Sequence, residues 1–261
     1  MKYLHRTIDN QFELLMDAFG AVLIVGPKGC GKTTTAKQKA ATVVEFQDEE
    51  ERENYLLLAE NRPSRLLAGI KPILFDEWQD APKIWGAIRK DVDDSGLTGQ
   101  YILTGSSSSN VDTPHTGTLR IARLKMYPMS LYESGESNGK VSLIDLFNAK
   151  DINDQEWESD LSVEDLIFAI CRGGWPRAIV NEKSAAKLIV AKTLFNQTAQ
   201  VDISNVDKVK RNPSWAESIL RSYARNICQL TEMKNIYKDA KTETNMAEST
   251  FFEYIEPMQK L

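Results

Sequence analysis

Cysteine and histidine are scarce in this chain, with three Cys and two His in 261 residues. Cys30, Cys171 and Cys228 are too scattered for a disulfide framework, and two histidines leave no zinc-ligand spacing. Long apolar runs are missing as well. The longest, Ala18 to Gly26, falls far short of the roughly 20 residues of a membrane-spanning helix. The opening stretch MKYLHRTIDNQFELLMDAFG mixes charged with apolar residues and has no signal-peptide core. Positive charge is not in excess: 32 Lys+Arg stand against 37 Asp+Glu, a net charge of −5, which disfavours a generic polyanion binder. With 42% hydrophobic and 26% charged residues, the chain is too apolar and too well mixed for disorder. These exclusions leave a cytoplasmic globular protein of one large domain or two modest ones.

Strand and helix signals alternate over the first half. Residues 11–19 predict a helix, AVLIV (21–25) a buried strand, and residues 32–41 a second helix. Further strands are expected at 42–46, 72–75, 101–104 and 123–127, with a helix over 82–93. The acidic stretch at 48–53 reads as a charged loop or helix face. Alternation of this kind implies a mostly parallel sheet covered on both faces, an α/β fold. From Glu133 to Asp160 the chain turns polar and acidic and reads as a connection. Ser162 is a plausible N-cap for a helix that Gly173, Gly174 and Pro176 stop. Beyond Ala199 the spacing is helical throughout, with Trp215, Ile219, Tyr223 and Ile227 on one face and Phe251, Tyr254, Ile255 and Met258 on another. The expected division is 1–132 for an α/β core, 133–200 for a connection with a helical part, and 201–261 for a helical segment. The chain stops at EYIEPMQKL within an apolar-periodic helix, which predicts a truncated sequence.

The strongest chemical signal is GPKGCGKT, Gly26 to Thr33, a fit to G-x-x-x-x-G-K-[ST] placed between a strand and a helix. Gly26, Pro27, Lys28, Gly29, Cys30 and Gly31 would wrap a phosphate, all but Pro27 able to offer a backbone N–H. Lys32 would bridge the β- and γ-phosphates, the Thr33 hydroxyl would ligate Mg²⁺, and Thr34 follows in the same turn. A thiol at Cys30 could have a lowered pKa beside a helix N-terminus, although the burial habits of cysteine favour a small residue that simply fits. In PILFDEWQ, 44 residues beyond Lys32, an apolar strand delivers Asp76 to the sheet edge as a second Mg²⁺ group. Glu77, next in the chain, is the candidate general base. ATP and Mg²⁺ are the expected cofactors.

These motifs, with YILTGSSS, GTLRIARLKMYPMSLYE and GGWP, resemble the AAA+ superfamily of P-loop ATPases. The resemblance is to prokaryotic predicted ATPases that carry GGxP after the nucleotide domain and end in a winged-helix-like domain of uncharacterised role. It implies a P-loop NTPase three-layer α/β/α core with sheet order 5-1-4-3-2, then a helical lid. It also implies a first sensor at Ser106, or secondarily Thr104, and an arginine finger at Arg120 or Arg123. Arg172 and Arg177 flank GGWP and are candidates for the lid arginine, with a solvated surface arginine as the alternative for each. The usual sensor Asn is absent, which predicts slow or partner-dependent hydrolysis, and no N-K-x-D supports guanine.

The functional expectation is Mg²⁺-dependent ATP hydrolysis whose nucleotide state controls the helical C-terminal module. The alternative is a non-hydrolysing ATP-gated binding switch. A superfamily-1 helicase, suggested by DEWQD, fails on size. Residues 201–261 hold nine Lys+Arg and nine Asp+Glu, and DNA recognition needs phosphate neutralisation. The tail therefore points to a protein partner ahead of DNA. A trans-acting finger would make the protein a homo-oligomer.

Overall fold

The computed structural model describes residues 3–106, 117–148 and 158–261. Strand β1 (Ala21–Gly26) is buried along its whole length, the expected state of a strand in a parallel sheet covered on both faces. It lies between β4 (Tyr101–Ser106) and β5 (Ile121–Lys125), with β3 (Ile73–Asp76) and β2 (Thr42–Glu45) beyond β4. All pairings are parallel and the order is β2-β3-β4-β1-β5, the expected order read from the other edge.

Side chains of β1 alternate between two cores, as the period of two requires. Ala21, Leu23 and Val25 pack with α3 (Arg52–Asn61) and α4 (Lys83–Ser95), through Ala59, Ile84 and Ile88 among others. Val22 and Ile24 face the opposite layer with Phe12 and Met16 of α1 (Asp9–Ala18) and Ala36 of α2 (Lys32–Ala36). The result is three layers, α/β/α.

Two local expectations need correction. Helix α2 ends at Ala36 and not Ala41, because the Ala41 and Thr42 amides bond to the Pro72 carbonyl and draw the chain into the sheet. Strand β5 begins and ends two residues early: Ile121 pairs in register with Ala21, and Tyr127 has already left the ladder. Residues 48–53 are an exposed loop and helix start, as expected, and they lead into α3, whose Tyr55, Leu56, Leu58 and Ala59 reach the core.

Within the polar connection lies a short helix α5 (Leu143–Asn148). Helix α6 (Val163–Arg172) is capped as expected, the Ser162 side chain accepting from the Asp165 amide. Helices α7 (Pro176–Ile179) and α8 (Ser184–Gln197) follow, and the chain continues through a π-helical turn, Thr198–Asp202, into α9 (Ile203–Asn205). Helices α10 (Pro213–Arg225), α11 (Met233–Lys241) and α12 (Glu248–Lys260) close a core of their own around Ile219, Ile236 and Phe251. Buried Ser218 and Ser222 donate to the Ala240 and Ile236 carbonyls at 2.8 and 2.9 Å, tying α10 to α11. Tyr254 and Ile255 face inward with Phe251 as the spacing predicts, but Ile227 falls beyond α10 and is exposed.

Candidate active site

The phosphate loop is shaped by its glycines. At Gly26 a Cβ would stand 2.1 Å from the Met126 carbonyl oxygen, where the chain leaving β5 crosses behind the loop. Gly31 has φ 104°, the left-handed region that favours glycine, and opens α2. Lys32 is buried, its Nζ donating to the carbonyls of Gly26 and Pro27 at 3.0 and 3.2 Å. The ammonium is therefore folded onto the mouth of the loop. Cys30 is fully buried and burial pushes its thiol pKa up, so this cysteine is a small residue that fits and not an activated thiol.

Asp76 ends β3, which pairs with β4 and is separated by it from β1, and the parallel order delivers its carboxylate to the same end of the sheet as the loop. Its Oδ1 accepts from the Thr33 hydroxyl at 2.7 Å and also from the Thr104 hydroxyl. A hydroxyl and a carboxylate oxygen meeting in this way suit a hard divalent cation such as Mg²⁺. Among the described residues no group of three or more His, Cys, Asp or Glu gathers to hold a metal. Such an ion would take its other ligands from nucleotide phosphates and water.

Glu77 turns the chain through φ 54°, ψ 50°, left-handed for a non-glycine residue, a conformation that costs on the order of 1 kcal/mol and clusters at functional sites. Its amide donates to Thr104 Oγ1 at 3.3 Å, and its Oε2 accepts from Gln79 Nε2 at 2.5 Å. The Thr104 hydroxyl is thus taken up in aligning Asp76 and the Glu77 backbone. Ser106 lies opposite Gly26 in the β4–β1 register, and its side chain lies outside what the structure describes.

A cavity of about 950 Å³ joins these groups to the lid and tail. Lys28, Lys32, Thr33 and Glu77 line it from the sheet side, and Arg177 and Asp202 from the helical side. Pro176 of the GGWP turn closes over Gly31, and Gly174 meets Met129 backbone to backbone, the Met129 amide donating to the Gly174 carbonyl at 2.6 Å.

The four sequence-selected arginines separate here. Arg177 reaches the cavity; Arg172 does not, being buried in a two-pronged pair with Glu136 at 2.7 and 2.8 Å. Arg120 sits in a turn before β5, at the end of the sheet away from the loop, its Nε donating to Asp93 at 2.7 Å. Arg123 is the third residue of β5 and exposed, not at the strand start. Sequence reasoning missed Arg6, Gln79 and Asp202, since each is a single polar residue whose meaning depends on distant partners.

Residues 18–135 match the family model described as AAA domain, and residues 163–261 match one described as a domain of unknown function. No curated protein matches the chain. Among solved structures, a Walker-type ATPase of Pyrococcus abyssi aligns with a TM-score of 0.55 at 12% identity, covering 99% of this chain and 89% of its own. That likeness shows a shared fold. AMPPCP-bound DnaA from Aquifex aeolicus aligns at a TM-score of 0.40 and 14% identity, over 97% and 85% of the two chains.

Proposed function

We propose that the AAA domain at residues 18–135, a P-loop ATPase module, binds Mg²⁺·ATP and hydrolyses it, and that the helical C-terminal residues respond to the bound nucleotide. The observation that carries this reading is the meeting of Thr33 Oγ1 and Asp76 Oδ1 at 2.7 Å beside the cavity that Glu77 lines. The proposed units are the core at 1–132, the connection and lid at 133–200, and the tail at 201–261.

In this reading the loop N–H groups between Gly26 and Thr34, Pro27 having none, cradle the phosphates, and Lys32 leaves its two carbonyl partners for the β- and γ-phosphate oxygens. Thr33 and Asp76 would hold Mg²⁺, which neutralises charge on the phosphates when bound. Glu77 takes a proton from the attacking water, and Gln79 fixes the orientation of its carboxylate. Thr104 aligns the two acidic residues, so sensing of the γ-phosphate falls to Ser106. Arg177 is the lid residue with access to the nucleotide, and it shares the cavity with Asp202 of the tail. That shared lining supports coupling between nucleotide and helical module.

The test is Mg²⁺-dependent phosphate release with ATP titration calorimetry, comparing wild type with Lys32→Ala. Loss of affinity in a variant with an unchanged circular dichroism spectrum is expected. Equal ATP affinity in both would sink the reading, whereas tight binding without release would leave the ATP-gated switch.

A further inference from the structure

We propose that Arg6, on the segment preceding α1, is a positioning residue of the nucleotide site, acting through the phosphate loop. The inference rests on the ATP reading above. Arg6 and its partner Glu133 are among the best-buried charges of the molecule, with side chains 4% and 5% exposed. Each of the three guanidinium nitrogens donates. Nε donates to Glu133 Oε1 at 3.0 Å, Nη2 to the Tyr127 carbonyl at 2.7 Å, and Nη1 to the Cys30 carbonyl at 2.8 Å. One side chain thus ties the N-terminal segment, the exit of β5 and the middle of the phosphate loop. Glu133 is satisfied in turn by the Thr7 and Ser130 amides, each at 2.7 Å.

The bond to Cys30 has a directional consequence. In a planar trans peptide the C=O and the following N–H point in opposite directions. Holding the Cys30 carbonyl against Arg6 therefore turns the Gly31 N–H away from Arg6, and Gly31 lines the nucleotide cavity. Arg6 Nη1 also lies 3.5 Å from where a Gly31 Cβ would stand, so a buried positive charge sits immediately behind the loop. Burying an ion pair is costly and is weak evidence for stability alone. A pair spanning 127 residues of sequence, with one prong inside the phosphate loop, makes sense as a device for fixing loop geometry. Tyr3 extends the same strap, its hydroxyl lying 3.1 Å from Thr35 Oγ1 in α2.

Positioning through the loop acts on phosphate binding in ground and transition states alike, so it moves KM more than kcat. The experiment titrates a fluorescent ATP analogue with Mg²⁺ against wild type, Arg6→Lys and Arg6→Ala, with steady-state kinetics and thermal melts. Arg6→Lys keeps the charge beside Glu133 but not the fork, and is expected to fold, bind about tenfold more weakly and keep kcat within about threefold. Millimolar guanidinium is expected to restore part of the affinity of Arg6→Ala, while urea at the same concentration is not. Wild-type affinity in a folded Arg6→Lys overturns the proposal, and so does a loss in folded Arg6→Ala that guanidinium leaves untouched. If Arg6→Ala fails to fold, Arg6→Lys decides. A wild-type chain that binds no ATP overturns the underlying ATP reading itself, a result distinct from any difference between variants.

Discussion

Lys28 in the phosphate loop and Asp202 in the π-helical turn form an ion pair at 3.3 Å across 174 residues of sequence, and both line the same cavity. Lys28 is 61% exposed and Asp202 13%, so the pair adds at most about 1 kcal/mol to stability. Its interest is the proposed coupling, in which an incoming triphosphate would compete with Asp202 for Lys28. Asp202→Asn is expected to leave the melting temperature nearly unchanged and tighten ATP about two- to tenfold at low ionic strength. High salt should shrink the gain by screening. Calorimetric titration at two salt concentrations checks this, and unchanged affinity in both removes the coupling role.

Glu77→Gln preserves shape and the contact with Gln79 but removes the proposed base. Single-turnover hydrolysis is expected to fall by about 10²–10⁴ while ATP still binds. A wild-type rate in the variant would assign proton removal to another group.

Arg120 cannot serve the nucleotide of its own chain. Its carbonyl accepts from the Ala21 amide at the start of β1, and the loop leaves the far end of that strand, roughly 17 Å away at about 3.3 Å per residue. If it is an arginine finger, it acts on a neighbouring copy, released from Asp93. Arg120→Ala is then expected to keep ATP affinity and lose turnover by about 10³-fold or more. Wild-type specific activity should rise with protein concentration, and mixing Arg120→Ala with Glu77→Gln should restore part of it. Full turnover at every dilution, with a monomeric mass by light scattering, removes the finger.

Gly174→Ala tests the docking of the lid. The new Cβ would stand 2.1 Å from the Met129 carbonyl oxygen, and backbone must move to admit it. A loss of on the order of 1–3 kcal/mol is expected, with weaker ATP binding as Pro176 shifts from Gly31. A melt indistinguishable from wild type would show that the turn yields freely.

Acid sensitivity follows from Glu133. Burial alone would raise its pKa, but the Ser130 and Thr7 amides with Arg6 together outweigh burial and hold the carboxyl below its ordinary value of 4.5. A depressed folded pKa contributes stability that is present above the unfolded value and lost as pH falls through the folded one. Stability is expected to decline below about pH 5, and Glu133→Gln should be less stable near neutrality with a shallower acid limb. Melts across that range check the slope.

Local chemistry determined much of this protein. An apolar run ending in glycine marks β1, and the spacing within GPKGCGKT marks the loop that follows it, although contacts from Arg6 and Met126 complete that loop's setting. The acidic pair at Asp76 and Glu77 was legible for the same reason, as was the Ser162 cap. Periodicity failed where burial depended on partners: α3 hides its apolar face among acidic residues, and β5 took its register from Ala21 and not from its own RLKMY pattern. Tertiary structure alone decided which charges belong to the site. Arg6 pairs with Glu133 and Lys28 with Asp202 across long stretches of sequence, and a charge acquires a role only through what folding brings within about 3 Å of it. The same contacts assigned Arg172 to Glu136 and left Arg177 facing the cavity, two arginines five positions apart that no spacing rule could tell apart.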